Sequence, residues 1–316
     1  MLINKIFPCE AQEVYSQWKT PTTIISDGAY GIKGFPGDPR TPELLPEWYE
    51  PHIKAWTEAA AVNTSLWFWN TEVGWATIHP YLIAAGWKYV QLITWDKGIG
   101  QIAGNVNSKT IRQLPVVTEV SGLYVRPQVF TSSGGKELSL QDWLRTEWKR
   151  TGLPFSEANK ACGVANAATR KWLTADHLWY QPPHEAFIAL KAYADKHGNP
   201  AGAPYFENGP ATSMGSWTNL RSIWNHAHGL SNVWNIPSLR GKERLKGIQG
   251  ETLHANQKPI ELMRRQIEAT SHAGDTIWEP FGGLASASAA AKELNRNSYA
   301  AEPNPLFYEA ANARLA

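Results

Sequence analysis

The sequence predicts an α/β protein with a mainly parallel sheet that is interrupted by a helical segment. Three features of its 316 residues support this prediction. Strand-like and helix-compatible runs alternate along residues 22–125, a strand, turn, helix and strand follow one another along residues 275–302, and helical patterns dominate between these two parts. Because strand-bearing parts flank the helical segment, we expect both ends of the chain to contribute to one sheet.

The first part contains short runs rich in β-branched and aromatic residues, separated by segments compatible with helices. Such alternation is typical of a parallel sheet covered by helices on both faces. The predicted strands are residues 22–26, 65–69, 89–94 and 116–125, and the predicted helices are residues 46–61 and 75–85.

The last part combines two strand-like runs with a glycine turn and an alanine-rich helix. The runs end in Glu279 and Glu302, and Gly282 and Gly283 lie where the first strand gives way to the helix. Residues without side-chain bulk let a ligand lie against backbone N–H groups there. Glu302 follows Gly283 by 19 residues, close to the roughly 20-residue offset at which an acid binds ribose hydroxyls. The pattern favours a nucleoside-containing cofactor.

Two other interpretations of this turn exist. An ordinary αβ unit with a tight turn would contain the same glycines, and this interpretation stays open at this point. A pyrophosphate-binding NAD enzyme is disfavoured, since Leu284, Ala285 and Ser286 follow the glycines and the full G-x-G-x-x-G pattern is absent.

Composition indicates a packed globular protein, with 43% hydrophobic and 18% charged residues. The only cysteines, Cys9 and Cys162, argue against a disulfide framework and fit a reducing compartment. The sequence contains no run of about 18 apolar residues and no signal-peptide core at its N-terminus. We therefore expect a soluble, cytoplasmic protein without a membrane partner.

Charge is distributed unevenly along the chain. Residues 131–250 hold 14 Lys and Arg against 9 Asp and Glu, whereas the remainder holds 16 against 19. A basic middle segment between nearly neutral flanks is compatible with binding of a polyanion, although such an imbalance also arises by accident.

The middle segment has the outline of a helix-turn-helix. A short predicted helix is followed by the turn Gly163-Val164 and a second short helix. A structural helical insertion without DNA contact is the alternative. The predicted helices are residues 138–150, 156–162, 166–173 and 183–197, and the residues expected to face bases or phosphates are Asn166, Thr169, Arg170 and Lys171.

A turn after the first predicted strand brings an acid and an aromatic ring close together. Asp27, Gly28, Ala29 and Tyr30 follow the strand at residues 22–26. A carboxylate and a ring three residues apart on such a turn can meet the same flat substrate, one at its edge and one on its face. We interpret this turn as the reacting end of the site.

The ordered elements of the last part resemble motifs X, I and II of the amino-methylating DNA methyltransferases of the permuted β class. In that family an H-x-x-Q-K-P-x-x-L element precedes a D-P-F-x-G-x-G loop and a terminal acid. The matching residues are His254, Gln257, Lys258, Pro259 and Leu262, then Glu279, Pro280, Phe281 and Gly283 with Ala285 in place of the last glycine, and finally Glu302, Asn304 and Pro305.

The resemblance implies S-adenosylmethionine as the cofactor. Cys9-Glu10-Ala11 resembles the G-D-A/C element of the family, which makes Glu10 a candidate for binding the adenosyl moiety. The expected cofactor-binding residues are Glu10, His254, Gln257, Lys258, Glu279, Pro280, Phe281, Gly282, Gly283, Ala285 and Glu302.

The turn at residues 27–30 stands where the family carries D-P-P-Y. The resemblance implies that the Asp27 carboxylate and the Gly28 carbonyl accept hydrogen bonds from the amino group of the target base, while Tyr30 stacks on the base. Transfer would be direct, without a metal, and the base would have to leave the duplex. The sequence Asp-Gly-Ala-Tyr lacks both prolines, so the carbonyl remains but its rigid presentation does not.

The resemblance also implies an organisation for the whole chain. The fold would be a circularly permuted, Rossmann-like methyltransferase with a seven-stranded sheet. Residues 1–130 would form the catalytic half, residues 131–250 the target-recognition region with a helix-turn-helix-like bundle at about 138–198, and residues 251–316 the S-adenosylmethionine-binding half.

These features predict a site-specific methyltransferase acting on N6 of adenine or N4 of cytosine in double-stranded DNA. A catalytically silent DNA-binding regulator and a methyltransferase for RNA or protein amides are the alternatives. The resemblance suggests a prokaryotic or phage context, a homodimer as one oligomeric form, and a companion restriction endonuclease as a further partner.

Overall fold

The computed structural model describes residues 2–32, 37–101, 110, 112–132, 134–207 and 213–316. The chain divides into two compact units, one formed by Met1–Arg126 with Ser222–Ala316 and the other by Pro127–Arg221. The strands are β1 (Asn4–Phe7), β2 (Thr23–Ser26), β3 (Ser65–Asn70), β4 (Lys88–Asp96), β5 (Thr118–Val125), β6 (Phe130–Thr131), β7 (Glu137–Leu138), β8 (Val233–Asn235), β9 (Thr276–Glu279) and β10 (Asn297–Ala301). The helices are α1 (Leu45–Ala59), α2 (Glu72–Ala84), α3 (Leu140–Arg150), α4 (Phe155–Ala161), α5 (His184–His197), α6 (Met214–Thr218), α7 (Ile260–Thr270), α8 (Ser286–Glu293) and α9 (Pro305–Leu315).

The first unit is built on one sheet with the strand order β1-β10-β9-β2-β3-β5-β4-β8. Strand β5 runs antiparallel to both of its neighbours, and the other pairs are parallel. The predicted α/β fold with a mainly parallel sheet is confirmed. Because β9 and β10 lie between β1 and β2, both ends of the chain contribute to the sheet, as predicted.

The sheet has eight strands in the described part of the chain, whereas seven were predicted. Strand β8 adds the extra edge by pairing three residues with the end of β4. So short a strand has no periodicity of its own, and its register is set by the neighbouring strand.

Strand β3 shows why a nearly continuous apolar run forms the centre of this sheet. All six of its residues are buried. Leu66 and Phe68 pack in the cluster that contains residues of α1 and α2, while Trp67 and Trp69 pack on the other face with residues of α7 and α8. Burial on both faces removes the need for alternating polar residues.

Helix α7 is held on the sheet by buried polar contacts as well as by apolar packing. Gln266 is fully buried, its Oε1 accepts a hydrogen bond from Trp69 Nε1 at 3.0 Å, and its Nε2 donates to Ser121 Oγ at 3.0 Å. Thr270 Oγ1 similarly accepts from Trp67 Nε1 at 3.1 Å. These contacts fix α7 over the centre of the sheet.

The second unit is a helical bundle that includes the short β6–β7 hairpin. Helices α3, α4 and α5 lie where the sequence predicted them. The predicted helix at residues 166–173 is instead a five-residue π-helical segment, Ala168–Trp172. Leu173 N donates to Ala168 O, and this wider turn allows Trp172 and Leu173, adjacent in sequence, both to be buried.

The boundaries of the helical unit differ from the predicted region at residues 131–250. Residues 222–250 belong to the first unit, because β8 pairs with β4 and Asn225 Nδ2 donates to Ser271 O at 3.0 Å. Four basic residues of the predicted region therefore lie in the first unit: Arg240, Lys242, Arg244 and Lys246.

No helix among the described residues is long and apolar enough to span a membrane.

Replacement of Gln266 by leucine tests how strongly its contacts hold α7. The Gln266→Leu variant leaves the Trp69 indole N–H and the Ser121 hydroxyl buried without this partner, so we expect the free energy of unfolding to fall by about 2–4 kcal/mol. Chemical denaturation measures the change. Arg264→Ala on an exposed part of the same helix is the control and should stay within about 1 kcal/mol of the wild type.

Candidate active site

A cavity of about 600 Å³ opens at the carboxyl ends of β2 and β9. From β9 the chain continues through α8 to β10 on one side, and from β2 it continues through α1 to β3 on the other. Neighbouring strands whose connections diverge in this way leave a crevice between the following loops, where open α/β sheets bind ligands. The volume lies within the usual range of small-molecule sites.

The predicted catalytic turn lines this cavity. Asp27, Gly28, Ala29 and Tyr30 all contribute to the wall. The Tyr30 hydroxyl lies 2.8 Å from Asp27 Oδ1, so the acid and the aromatic residue that the sequence paired are in direct contact.

Lys258 connects this turn with the C-terminal part of the chain. Its ammonium group lies 2.7 Å from Asp27 Oδ1, 2.9 Å from the Tyr30 hydroxyl and 3.1 Å from Glu119 Oε2. Three acceptors match the three hydrogens of an ammonium group. The sequence assigned Lys258 to cofactor binding, but its side chain contacts the predicted catalytic residues.

The charges of this cluster balance one another. Glu119 also forms an ion pair with Lys97, so two carboxylates face two ammonium groups. Burial would raise the pKa of Glu119, but Lys258 and Lys97 lower it to about 2. Burial would lower the pKa of Lys258, but Asp27 and Glu119 raise it above its ordinary value. Glu119 and Lys258 are therefore both charged at neutral pH.

Tyr30 is the centre of this cluster. Its hydroxyl also lies 2.9 Å from Glu119 Oε2, and it can donate to only one of the two carboxylates at a time. Burial, followed by the charges of Asp27 and Glu119, raises the pKa of Tyr30 well above its ordinary value. The Lys258 ammonium lies 5.1 Å from the centre of the Tyr30 ring.

The environment of Gly28 explains the absence of a proline at this position. A Cβ atom on Gly28 would lie 2.6 Å from the Phe281 ring and 2.7 Å from the Tyr49 hydroxyl. These distances are too short for any side chain unless its neighbours shift. Phe281 and Tyr49 therefore occupy the space that a proline would need.

Side chains fix the turn in place of the prolines. The Ala29 carbonyl accepts a hydrogen bond from the Tyr49 hydroxyl at 3.0 Å and another from Asn70 Nδ2 at 2.9 Å. All three residues are almost fully buried. Two buried donors on one carbonyl restrict the turn although glycine allows many backbone conformations.

Glu302 and Gly283 form the opposite part of the cavity wall. Glu302 Oε2 accepts from Gly283 N at 2.8 Å, and its Oε1 accepts from Asn304 N at 2.8 Å. Burial raises the pKa of Glu302, whereas these two amide hydrogen bonds lower it. A Cβ atom on Gly283 would lie 3.7 Å from His254 Nε2, so the glycine leaves space open on the cavity side.

Residues 21–313 match the N6/N4 methyltransferase family described as DNA methylase. The chain belongs to this family of DNA methylases. The Type II methyltransferase M.HindIII of Haemophilus influenzae is 30% identical over 185 residues, which are 53% of this chain and 53% of that protein. The chain spans about half or less of the length of the curated relatives it matches.

Solved structures of DNA methyltransferases share the fold of this chain. The M1.HpyAVI–SAM complex aligns with a TM-score of 0.54 and 15% identity over 98% of both chains. The PvuII DNA methyltransferase, which is cytosine-N4-specific, aligns with a TM-score of 0.55 and 9% identity over 99% of this chain and 86% of that chain.

Two predicted cofactor residues, Glu279 and Ala285, support the loop between β9 and α8, and Glu279 also lines the cavity. The Glu279 carboxylate accepts from Ala287 N and Ser288 N, both at 2.8 Å, and burial raises its pKa to about 7. Ala285 is fully buried, does not line the cavity, and adopts a left-handed conformation with φ of 54°. The family places glycine here, and this backbone conformation explains that preference.

The other predicted cofactor residues lie in the cavity wall, although one also has a structural contact. Gln257 donates to Glu243 O at 2.9 Å and accepts from Leu245 N at 3.0 Å, so its amide anchors the preceding segment. The remaining predicted residues in the wall are Glu10, His254, Pro280, Phe281 and Gly282.

The four predicted DNA-facing residues lie in the second unit. Asn166 and Arg170 are exposed, and Lys171 is half-buried. The Thr169 hydroxyl donates to Asn166 O at 3.1 Å, and Thr169 N donates to Asn159 Oδ1 at 3.2 Å. The amide and the hydroxyl of Thr169 are thus both bonded within the second unit. DNA binding by all four residues stays a prediction.

Several residues of the site were not predicted from the sequence. Glu119, Tyr49 and Asn70 hold the catalytic turn, while Trp48 and His52 line the cavity. Glu119 lies near the start of β5. The others lie within an ordinary helix or strand pattern, and only tertiary structure brings them to the cavity.

Replacement of Lys258 tests the charge cluster. Lys258→Met leaves the Asp27 and Glu119 carboxylates without their shared cation, so we expect the free energy of unfolding at pH 7 to fall by about 3–5 kcal/mol. Denaturation of Lys258→Met/Glu119→Gln provides the control, because removing one charge of each sign should recover part of the loss.

The wild type and Lys258→Met should also differ in the pH dependence of their stability. The lowered pKa of Glu119 stabilises the wild type above the unfolded value of 4.5, and this contribution is lost as the pH falls toward about 2. In Lys258→Met the Asp27 and Glu119 carboxylates repel each other without their shared cation. The repulsion raises the pKa of one of these two carboxyl groups, so the variant should lose stability as the pH rises. A variant that becomes more stable between pH 5 and pH 7 would contradict the cluster.

Proposed function

We propose that the protein transfers a methyl group from S-adenosylmethionine to an exocyclic amino group of a base in double-stranded DNA, N6 of adenine or N4 of cytosine. One observation carries the proposal: Asp27 and Glu302 line the same cavity. In the proposed reaction Asp27 binds the amine and Glu302 binds the ribose. Membership of the DNA methylase family supports it.

The residues of the cavity suit the cofactor. Each oxygen of Glu302 accepts one backbone amide and keeps a second lone pair for a ribose hydroxyl. Gly283 leaves room next to His254. Glu10 also lines the cavity, where its carboxylate is available to an adenosyl amino group. When bound, S-adenosylmethionine supplies an electrophilic methyl group attached to a sulfonium.

The catalytic turn addresses the low reactivity of an aromatic amine, whose lone pair is delocalised into the ring. Two acceptors aimed at its N–H groups favour a pyramidal nitrogen with a directed lone pair. The Asp27 carboxylate and the Gly28 carbonyl are these acceptors. Lys258 binds Asp27 Oδ1 and thereby orients the carboxylate, and Tyr30 presents its ring to the base.

The order of the two halves along the chain supports the permuted arrangement. The turn that binds the amine follows β2 near the N-terminus, whereas the acid that binds the ribose follows β10 near the C-terminus. In the sequence, the compact helical unit Pro127–Arg221 comes between them. It takes the role of a target-recognition region, with Asn166, Arg170 and Lys171 as its DNA-facing residues.

Labelled cofactor and unmethylated plasmid DNA test this function. We expect the wild type to transfer label to DNA and Asp27→Ala to lose at least about 1,000-fold of this activity, since the turn acts on the reacting nitrogen. The affinity of Asp27→Ala for the cofactor should stay within about 3-fold, whereas Glu302→Ala should bind the cofactor at least about 10-fold more weakly.

Mass analysis of nucleosides from the product identifies the modified base. Label on RNA or ribosomal protein but not on DNA would favour the alternative substrates. DNA binding without label on any substrate would favour a silent regulator and overturn the proposal.

Tyr49→Phe tests whether side chains replace the missing prolines. Loss of the hydroxyl releases one of two donors on the Ala29 carbonyl, so kcat should fall by about 10-fold while the KM for the cofactor changes little. Tyr124→Phe is a matched control, because its buried hydroxyl binds Trp75 and His79 instead. Equal effects of both variants on kcat would contradict a positioning role for Tyr49.

A further inference from the structure

A hairpin in the first unit carries the most exposed large apolar side chain of the described residues. Ile248 is exposed to 106% of its reference area. Lys246 and Thr252 form an antiparallel bridge, and Gly250 N donates to Gly247 O at 3.0 Å, so Ile248 lies at the tip of a closed turn. A single exposed apolar residue is ordinary. Ile248 differs because its turn is internally hydrogen-bonded, is anchored to the cavity wall and lies near exposed lysines.

Glu251 gives the tip a defined shape. Its Oε2 accepts from Gln249 N at 3.0 Å, and its carbonyl accepts from Gly247 N at 3.0 Å. The Glu251 carboxylate occupies the space next to Gly247 into which a Cβ atom would extend. The turn is internally bonded while Ile248 points into solvent.

The base of the hairpin is anchored to the wall of the active-site cavity. Gln257, which lines the cavity, binds Glu243 O and Leu245 N through its amide. The Arg244 guanidinium donates to the carbonyl groups of His254 and Ala255 at 3.3 and 3.1 Å. These contacts lie directly before Lys258, whose ammonium binds Asp27.

Positive charge accompanies the hairpin. Residues 240–252 contain four basic and two acidic residues. The Glu243 carboxylate is exposed and accepts from Ile260 N at the start of α7. Lys242 and Lys246 are exposed, and neither forms an ion pair with a described residue.

We propose that this hairpin is a DNA wedge: Ile248 enters the base stack at the target site, and Lys242 and Lys246 bind the neighbouring phosphates. This inference rests on the proposed function, which requires a base to leave the duplex. Unstacking costs a few kcal/mol, and apolar side chains inserted between base steps offset part of that cost. One apolar residue at the tip of a turn preceded by two exposed lysines suits a stacked polyanion, because the lysines can bind phosphates while the apolar side chain inserts between bases.

A binding measurement tests the wedge independently of methyl transfer. The probe is a duplex of about 20 base pairs with one abasic position, where insertion does not require sequence recognition. Ile248→Ala should weaken binding by about 5-fold or more at every salt concentration, because apolar insertion releases no counterions. Lys242→Ala and Lys246→Ala should each reduce the slope of log K against log salt by about 1.

Matched controls lie at the amino end of β4 and at the end of the preceding helix, away from the carboxyl ends of β2 and β9 where the cavity opens. Ile83 near the end of α2 is exposed to 43%, and Lys88 at the start of β4 is also exposed. Ile83→Ala and Lys88→Ala should leave affinity and salt slope unchanged. Wild-type affinity and slope in the three hairpin variants would overturn the proposal, whether or not the protein methylates DNA.

Methyl transfer provides the second measurement. On a fully paired duplex that contains the modified site, Ile248→Ala should lose about 10-fold or more of kcat/KM. On the same duplex with a mismatch opposite the target base, the loss should shrink to about 3-fold or less, since a mismatched base leaves the stack more easily. Equal losses on both duplexes would overturn the wedge. Absence of transfer by the wild type would instead contradict the proposed function.

Discussion

The buried ammonium group of Lys258 joins the two halves of the site. Asp27 and Glu119 come from the first half of the chain, and Lys258 comes from the segment before α7. Removing a cation from water costs several kcal/mol, which three acceptors and two opposite charges offset only if their geometry is right. The position of α7, and with it the segment that carries Lys258, therefore constrains where Asp27 can lie.

The predicted catalytic turn at residues 27–30 is held by side-chain hydrogen bonds and contains no proline. Proline restricts the turn through its own ring, whereas here the Ala29 carbonyl is held by Tyr49 and Asn70. In this chain the Tyr49 hydroxyl and the Phe281 ring occupy the volume next to Gly28. The absence of proline does not by itself indicate an inactive site, because two buried donors hold the Ala29 carbonyl.

The sequence predicted those parts of the structure that depend on local spacing. The α/β class, the joining of β9 and β10 to the sheet, and the convergence of Asp27, Gly283 and Glu302 on one cavity follow from strand-end residues and their order. The contact of Lys258 with Asp27 spans 231 positions, and no local pattern encodes it.

The lack of long-range information in local patterns also explains why the predicted target-recognition region at residues 131–250 and the compact helical unit have different bounds. Composition located a basic surplus in residues 131–250 but carried no information about which residues pack together. The stretch from Arg240 to Lys246 packs through Gln257 against the cavity wall, so much of the surplus belongs to the first unit. Because that stretch is anchored beside Lys258, its charge holds a fixed position relative to the catalytic turn. A polyanion bound by these residues would therefore contact the same unit that carries the cavity.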